Sequence, residues 1–453
     1  MISQEMATNW VSLVPILALC GSAVAILALK RWTTRWQLAA WISITGFSLA
    51  ATLGWIALLA EQGGAVQAML VLDRPALHYT FLCCTAGTAI VLLDLGSVQN
   101  ESDDRYALLL LAVAGAVAVA MSVHVLPLVL GLAISFVAAN ALVVAHKLWT
   151  GLVAFASILL AHLLGLALLY GAAGSLRLDI LCEEIQQTGN PLGALGLALL
   201  LGGQAAALGI VPFQVWMPDL TTGEDDRRGY TTALLLPLAT MAVLVRTSGM
   251  LPEPARELVA LLGALTMLWG YSRALFSSDV LRATAGWMVA QYGAAFVRLA
   301  LGQVEDLSLL YTLANTVLNL LCLWSVTTNA RRGDSTGLRL DDLAGLGERR
   351  PWLAGVVTIC LLNLAHLPPL MGGIAQLWLL RVYAAEGWWL GAGIAAASTP
   401  VAWLVAGRWM LVVWSPPRTE REWLPTTPEV LVVALLTAAA MVVAGIGAGA
   451  FVP

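Results

Sequence analysis

Long apolar runs follow one another along almost the whole chain, separated by short polar stretches. A helix needs roughly 20 apolar residues to cross the hydrocarbon core of a bilayer. By that measure the pattern predicts an all-α polytopic membrane protein with about 14 transmembrane helices. They fall at 9–29, 37–60, 79–98, 106–122, 124–145, 149–172, 191–217, 229–249, 254–276, 282–302, 306–328, 352–384, 387–414 and 428–451. Two of these runs are interrupted. The seventh carries Pro212 and Pro218 within IVPFQVWMPDLTTG (Ile210–Gly223), and the twelfth carries Pro368-Pro369 and then Gly372-Gly373. Proline inside a spanning helix frees backbone carbonyls that lipid cannot satisfy, so protein or a water-lined cavity must. The two breaks lie five spans apart, and broken helices in corresponding positions are the sequence mark of inverted-repeat transporters. The chain is therefore expected to hold two inverted five-helix repeats, spans 4–8 and 9–13, with helices 7 and 12 broken. That divides it into an N-terminal three-helix flank (1–105), a first repeat (106–250), a second repeat (251–415) and a C-terminal helix (416–453).

Composition sharpens this. Only 11% of the 453 residues are charged and 60% are apolar, whereas a soluble domain carries roughly 25% charge. All the basic residues but Lys30 and Lys147 are arginine. Loops and span ends after odd-numbered spans hold 17 of the 23 Lys and Arg residues, and the other side holds six. The positive-inside rule then makes the odd loops cytoplasmic and places both termini on the outer side of a bacterial cytoplasmic membrane. The first apolar run lacks a basic leader and a small-residue cleavage site, so no removable signal peptide is expected. The six Cys are scattered without C-x-x-C spacing, which argues against zinc or iron–sulfur sites. No nucleotide-binding glycine motif is present. Neither cofactor nor metal nor nucleic acid is expected on this chain. Trp residues near span ends, such as Trp32, Trp352, Trp389 and Trp414, read as an aromatic belt facing lipid headgroups.

The seventh-span segment VPFQVWMPD, with Pro212, Phe213, Trp216, Pro218 and Asp219, resembles the V-P-F-H-x-W-x-P-D signature of the antiporter-like membrane subunits of respiratory complex I. Mrp-type cation/proton antiporter subunits and membrane hydrogenase subunits belong to the same family. Three further stretches agree in order and spacing. Gly165–Gly171, GLALLYG, is similar to G-x-x-L-L-Y-G; Asp279–Gly293 is similar to D-x-K-R-x-x-A-Y-S-x-x-x-x-x-G; and Leu367–Leu380, with Pro368 and Pro369, is similar to x-P-P-x-x-G-F-x-x-K. Leu318-Asn319-Leu320 favours the N branch, which tends to carry Asn where other branches carry Lys. The resemblance implies a membrane-arm subunit of a proton-translocating NADH:quinone oxidoreductase, with other membrane-arm subunits and lipid as its partners. A Mrp-like antiporter, membrane hydrogenase or inorganic-carbon uptake subunit is an alternative, and a purely structural or assembly protein is another.

That family is thought to move protons through buried Glu and Lys along the membrane midplane, because a buried Lys titrates nearer neutrality and can exchange a proton with a partner carboxylate. Carried over position by position, this set is missing. The expected acids and lysines fall near Ala133, on Ala207, near Pro237 or Leu238, on Leu281 and on Gln376, and the motif histidine is Gln214. Gln and Ala cannot hold a proton as a charged intermediate. The remaining candidates for a proton path are His366, His162, Lys147, Gln376, Asn319 and Gln204. Each has a plainer reading. A histidine in a bundle packs through hydrogen bonds, Lys147 anchors a span at the interface, and amides serve as interhelical glue. Arg246 and Glu257, at the ends of neighbouring spans, are expected to form a surface ion pair.

Overall fold

In a computed structural model, residues 10–32, 35–59, 65–66, 69–96, 103–143, 148–188, 190–214, 216, 226–300, 307–329, 338–417 and 426–448 are described. They form seventeen α-helices. These are α1 Val14–Leu29, α2 Trp36–Leu59, α3 Arg74–Leu95, α4 Asp103–Ala120, α5 Val125–Val143, α6 Leu148–Ala173, α7 Leu178–Thr188, α8 Pro191–Leu208, α9 Asp226–Thr247, α10 Glu253–Phe276, α11 Val280–Ala300, α12 Leu307–Asn329, α13 Leu346–Arg349, α14 Pro351–Leu364, α15 Met371–Ala385, α16 Trp389–Val413 and α17 Pro428–Ala448. Each of the fourteen apolar runs coincides with a helix, and the twelfth is split into α14 and α15 by its Pro-Pro break. Ten of the helices are long and apolar enough to cross a membrane, and α1 and α14 are apolar but shorter. Three elements escape a ruler that seeks apolar runs: α7, whose polar face includes Glu183, Glu184 and Gln186; the single-turn α13; and a two-stranded pairing of Ala65–Val66 with Leu70–Val71.

The chain divides into two compact units: residues 1–91, 99–208 and 234–252, and residues 92–98, 209–233 and 253–453. Helices in lipid associate through close packing rather than through a hydrophobic drive, so small residues sit where backbones meet. In the first unit α4 and α5 cross at Gly115 and Gly131, where a Cβ on Gly115 would stand 2.5 Å from the Gly131 carbonyl oxygen. In the second unit α10 and α11 cross at Gly270 and Gly286, where a Cβ on Gly270 would meet the Gly286 oxygen at the same 2.5 Å. The paired glycines have identical spacing along the chain. One helical hairpin has thus been used twice.

The entry to each hairpin's second helix is held in the same way. Before α5, Val125 N donates to Leu176 O (2.8 Å) and Leu178 N donates to Val123 O (3.1 Å). Before α11, Val280 N donates to Leu338 O and Leu340 N to Ser278 O, both at 2.9 Å. The docked segments read Leu176-Arg177-Leu178-Asp179 and Leu338-Arg339-Leu340-Asp341, the same four residues in both units. Two-residue bridges of this kind satisfy backbone groups where the chain leaves a helix.

Candidate functional site

At the break between α14 and α15 the buried side chains of Gln291, Asn315, Asn319 and Asn363 converge with those of Tyr271 and His366. His366 has φ 58, left-handed for a residue with a Cβ, and Leu367, Pro368 and Pro369 follow it on the surface. Backbone groups freed by the break find partners. Trp403 Nε1 donates to Ala365 O at 2.6 Å, and Gly372 N donates to Asn363 Oδ1 at 2.7 Å. The Pro369 carbonyl lies against Gly445 of α17, where any side chain would collide with it. Two of the freed backbone groups are therefore satisfied by side chains, one from α16 and one from α14 itself, as a membrane interior demands.

From Asn363 the hydrogen bonds run outward and return. Asn363 Nδ2 donates to Asn315 Oδ1 (2.7 Å) and Asn319 Oδ1 (3.0 Å). Asn315 Nδ2 donates to Gln291 Oε1 (3.3 Å), and Gln291 Nε2 donates to the Tyr271 hydroxyl (2.8 Å). The Tyr271 oxygen lies 2.8 Å from His366 Nε2, with the two rings edge-on. His366 Nδ1 is buried and has no partner among the described residues. The result is a ring Asn363–Asn315–Gln291–Tyr271–His366, closed on the broken segment and buried throughout.

The ring takes in His366 directly, and Asn319 through Asn363. Gln376 lies apart from it, with Nε2 donating to Ala395 O and Thr399 Oγ1 at 3.1 and 3.2 Å. In the first unit His162 Nδ1 meets Ile158 O at 2.8 Å beside the Phe136 ring, and its Nε2 has no partner among the described residues. Gln204 Nε2 donates to Thr247 Oγ1 at 3.3 Å. At the seventh-span break Pro212 and Phe213 are exposed, Val211 N donates to Thr266 Oγ1 at 3.0 Å, and Trp216 is half-buried. Lys147, Pro218 and Asp219 lie outside the described residues. Tyr271 and Gln291 escaped the reading of the sequence, although a lone hydroxyl in an apolar helix always needs a partner.

At three of the positions where the family's lysines are expected, the side chains are apolar and packed. Ala207, Leu238 and Leu281 are buried. Pro237 sits inside α9, and the Ala233 carbonyl that it leaves without an in-helix donor accepts the Tyr292 hydroxyl at 3.1 Å. Among the described residues no three His, Cys, Asp or Glu side chains converge as a metal site.

The expected Arg246–Glu257 pair is not formed. Arg246 Nε donates to Ala120 O, and its two terminal nitrogens grip Asp73 at 2.8 and 3.0 Å. Sequence proximity pointed to Glu257, but a carboxylate distant in sequence offers the bidentate geometry that guanidinium prefers. Arg246, with Val71, Ser122, Val123, Arg177, Leu178 and Asp179, lines a cavity of about 310 Å³. Arg177 also grips Asp179 and holds its carboxyl below the usual range, chiefly through their hydrogen bonds.

A helical bundle with two proline-broken spans and a polar ring at one of them defines a polytopic membrane protein of the antiporter-like type. The chain belongs to the family described as NADH:quinone oxidoreductase/Mrp antiporter, TM, whose model matches residues 119–400. Among its relatives, NADH-quinone oxidoreductase subunit N of Ectopseudomonas mendocina (strain ymp) is 29% identical over 420 residues, covering 85% of this chain and 82% of the relative. Subunit N of Desulforamulus reducens is 28% identical over 352 residues, 73% of each. In fold, the chain matches one chain of respiratory complex I from Thermus thermophilus with a TM-score of 0.83 at 24% identity, covering 96% of this chain and 97% of that one. A chain of the Mrp complex from Dietzia sp. DQ12-45-1b gives 0.81 at 16% identity, covering 98% and 96%.

Proposed function

We propose that this chain is an N-type membrane-arm subunit of a complex I-like NADH:quinone oxidoreductase, with a degenerate proton path and a largely structural role. It would hold neighbouring subunits in register and seal the arm of a bacterial cytoplasmic membrane complex. In this reading residues 106–250 and 251–415 are the working repeats, flanked by 1–105 and 416–453, and both termini face outward. One observation carries it. Hydrogen-bonded amides, a tyrosine and a histidine ring the break of the second unit, and Ala, Pro, Leu and Gln stand where the acids and lysines are expected. Amides hold a fixed geometry but do not shuttle a charge. Relatives that are subunit N support the choice of complex. The surfaces of the breaks support an assembly, since Phe213, Leu367, Pro368 and Pro369 are exposed and irregular backbone does not persist against lipid alone.

The Mrp-like alternative has the same fold in its favour. It needs a coupled ion path, which the ring does not supply. Affinity purification of the tagged chain in mild detergent tests the proposal, with mass spectrometry and an iron assay. Iron–sulfur and quinone-site subunits are expected to accompany it. Recovery alone, or with one non-redox partner, overturns the assignment. In the intact complex, His366→Ala is expected to leave the proton-to-electron ratio unchanged, and a fall in that ratio would refute the degenerate path.

A further inference from the structure

The two units use an arginine in the same place. Arg246, from the last helix of the first repeat, donates to the carbonyl of Ala120 at the C-terminus of α4. Arg408 of α16, from the last helix of the second repeat, donates through Nη1 to the carbonyls of Leu275 and Ser277, at the C-terminus of α10. A cation there complements the negative end of a helix dipole. The two sites match further, since each adjoins a docked L-R-L-D segment. They differ in one respect. Arg246 spends its other fork on the Asp73 carboxylate and is only 13% exposed in its side chain, whereas the Nε–Nη2 edge of Arg408 meets no acid among the described residues.

The surroundings of Arg408 indicate which acid it takes. It shares a helical face with Leu404 and Leu411, which are 61% and 77% exposed, and Trp414 lies beyond them at 52%. Phe276, next to the Ser277 that Arg408 binds, is 81% exposed. Arg273 and Arg282 are exposed at the adjoining ends of α10 and α11. An arginine fork beside further cations, bordered by apolar and aromatic side chains at a span end, fits the phosphate of an anionic phospholipid with its acyl chains along α16. This is the face that the positive-inside bias makes cytoplasmic. We propose that the surface where the ends of α10 and α16 meet is an anionic phospholipid site, with Arg408 binding the phosphate.

The test uses the full chain purified in mild detergent, with phosphatidylglycerol and phosphatidylcholine as probes and native mass spectrometry as the readout. Wild type is expected to retain phosphatidylglycerol selectively. Arg408→Gln removes the charge and should bind phosphatidylglycerol roughly fivefold more weakly, the effect of one basic residue near an anionic surface. Equal binding by the variant, or no lipid preference in wild type, overturns the proposal. Arg408→Lys in native membranes, treated with a carbodiimide, tests the other source of an acid. A zero-length cross-link to a neighbouring subunit would show that a protein carboxylate fills the place and would also overturn it. Should Arg408→Gln not accumulate, the lipid preference of wild type and the cross-link still decide.

Discussion

Asn363 joins more of the buried network than any other side chain, since its amide bonds Asn315, Asn319 and the backbone of Gly372 at once. Asn363→Leu strands a buried backbone N–H and two amide oxygens, each worth about 1–3 kcal/mol when left unpaired. A loss of about 3 kcal/mol is therefore expected, read as a lowered thermal midpoint in mild detergent. His366 makes a different prediction, because its left-handed backbone costs about 1–2 kcal/mol for a residue with a Cβ. His366→Gly loses the Tyr271 bond but relieves that cost, so it should be about 1 kcal/mol more stable than His366→Ala by the same measurement. Asp73→Asn unpairs a mostly buried guanidinium and should cost about 2 kcal/mol, while Glu257→Gln should cost nothing measurable. His366 and Asn319 were legible as candidates because polar residues stand out in apolar helices. Tyr271 and Gln291 were not, because the sequence does not say which faces of separate helices meet.

At the scale of the element, the helical hairpins α4–α5 and α10–α11 are set by glycine. Gly270→Ala would place a methyl 2.5 Å from the Gly286 oxygen, which is backbone and cannot move aside alone. The helices must separate, at about 1–3 kcal/mol. Gly355→Ala in α14 is the control, since a Cβ there meets nothing within 4 Å. It should be neutral or stabilising by up to about 1 kcal/mol, because alanine forms helix better than glycine. Unfolding both variants in parallel checks the contrast. Helices and breaks were legible here, since length, apolarity and proline act locally. The hairpin Ala65–Val71 and the amphipathic α7 were hidden because neither is a long apolar run. The repeated L-R-L-D was in the sequence throughout, but only its docking on the helix entries gave it meaning.

For the whole molecule, the proposed role makes assembly rather than ion transfer the sensitive property. Deleting the chain should collapse the neighbouring membrane arm, whereas Gln376→Ala should leave both assembly and the proton-to-electron ratio intact, as measured in inverted vesicles. The sequence by itself determined that this is a polytopic helical membrane protein with two broken spans, because crossing a bilayer imposes a length and an apolarity on every segment. It also determined that lysine stands only at Lys30 and Lys147, which needs only residue identity. The tertiary structure alone decided that Asn363, Asn315, Gln291, Tyr271 and His366 close a ring, that Arg246 takes Asp73, and that Arg408 meets no such acid among the described residues. Hydrogen bonding acts over a few ångströms between residues far apart in the chain, so only the packing of helices against one another fixes which polar groups become partners.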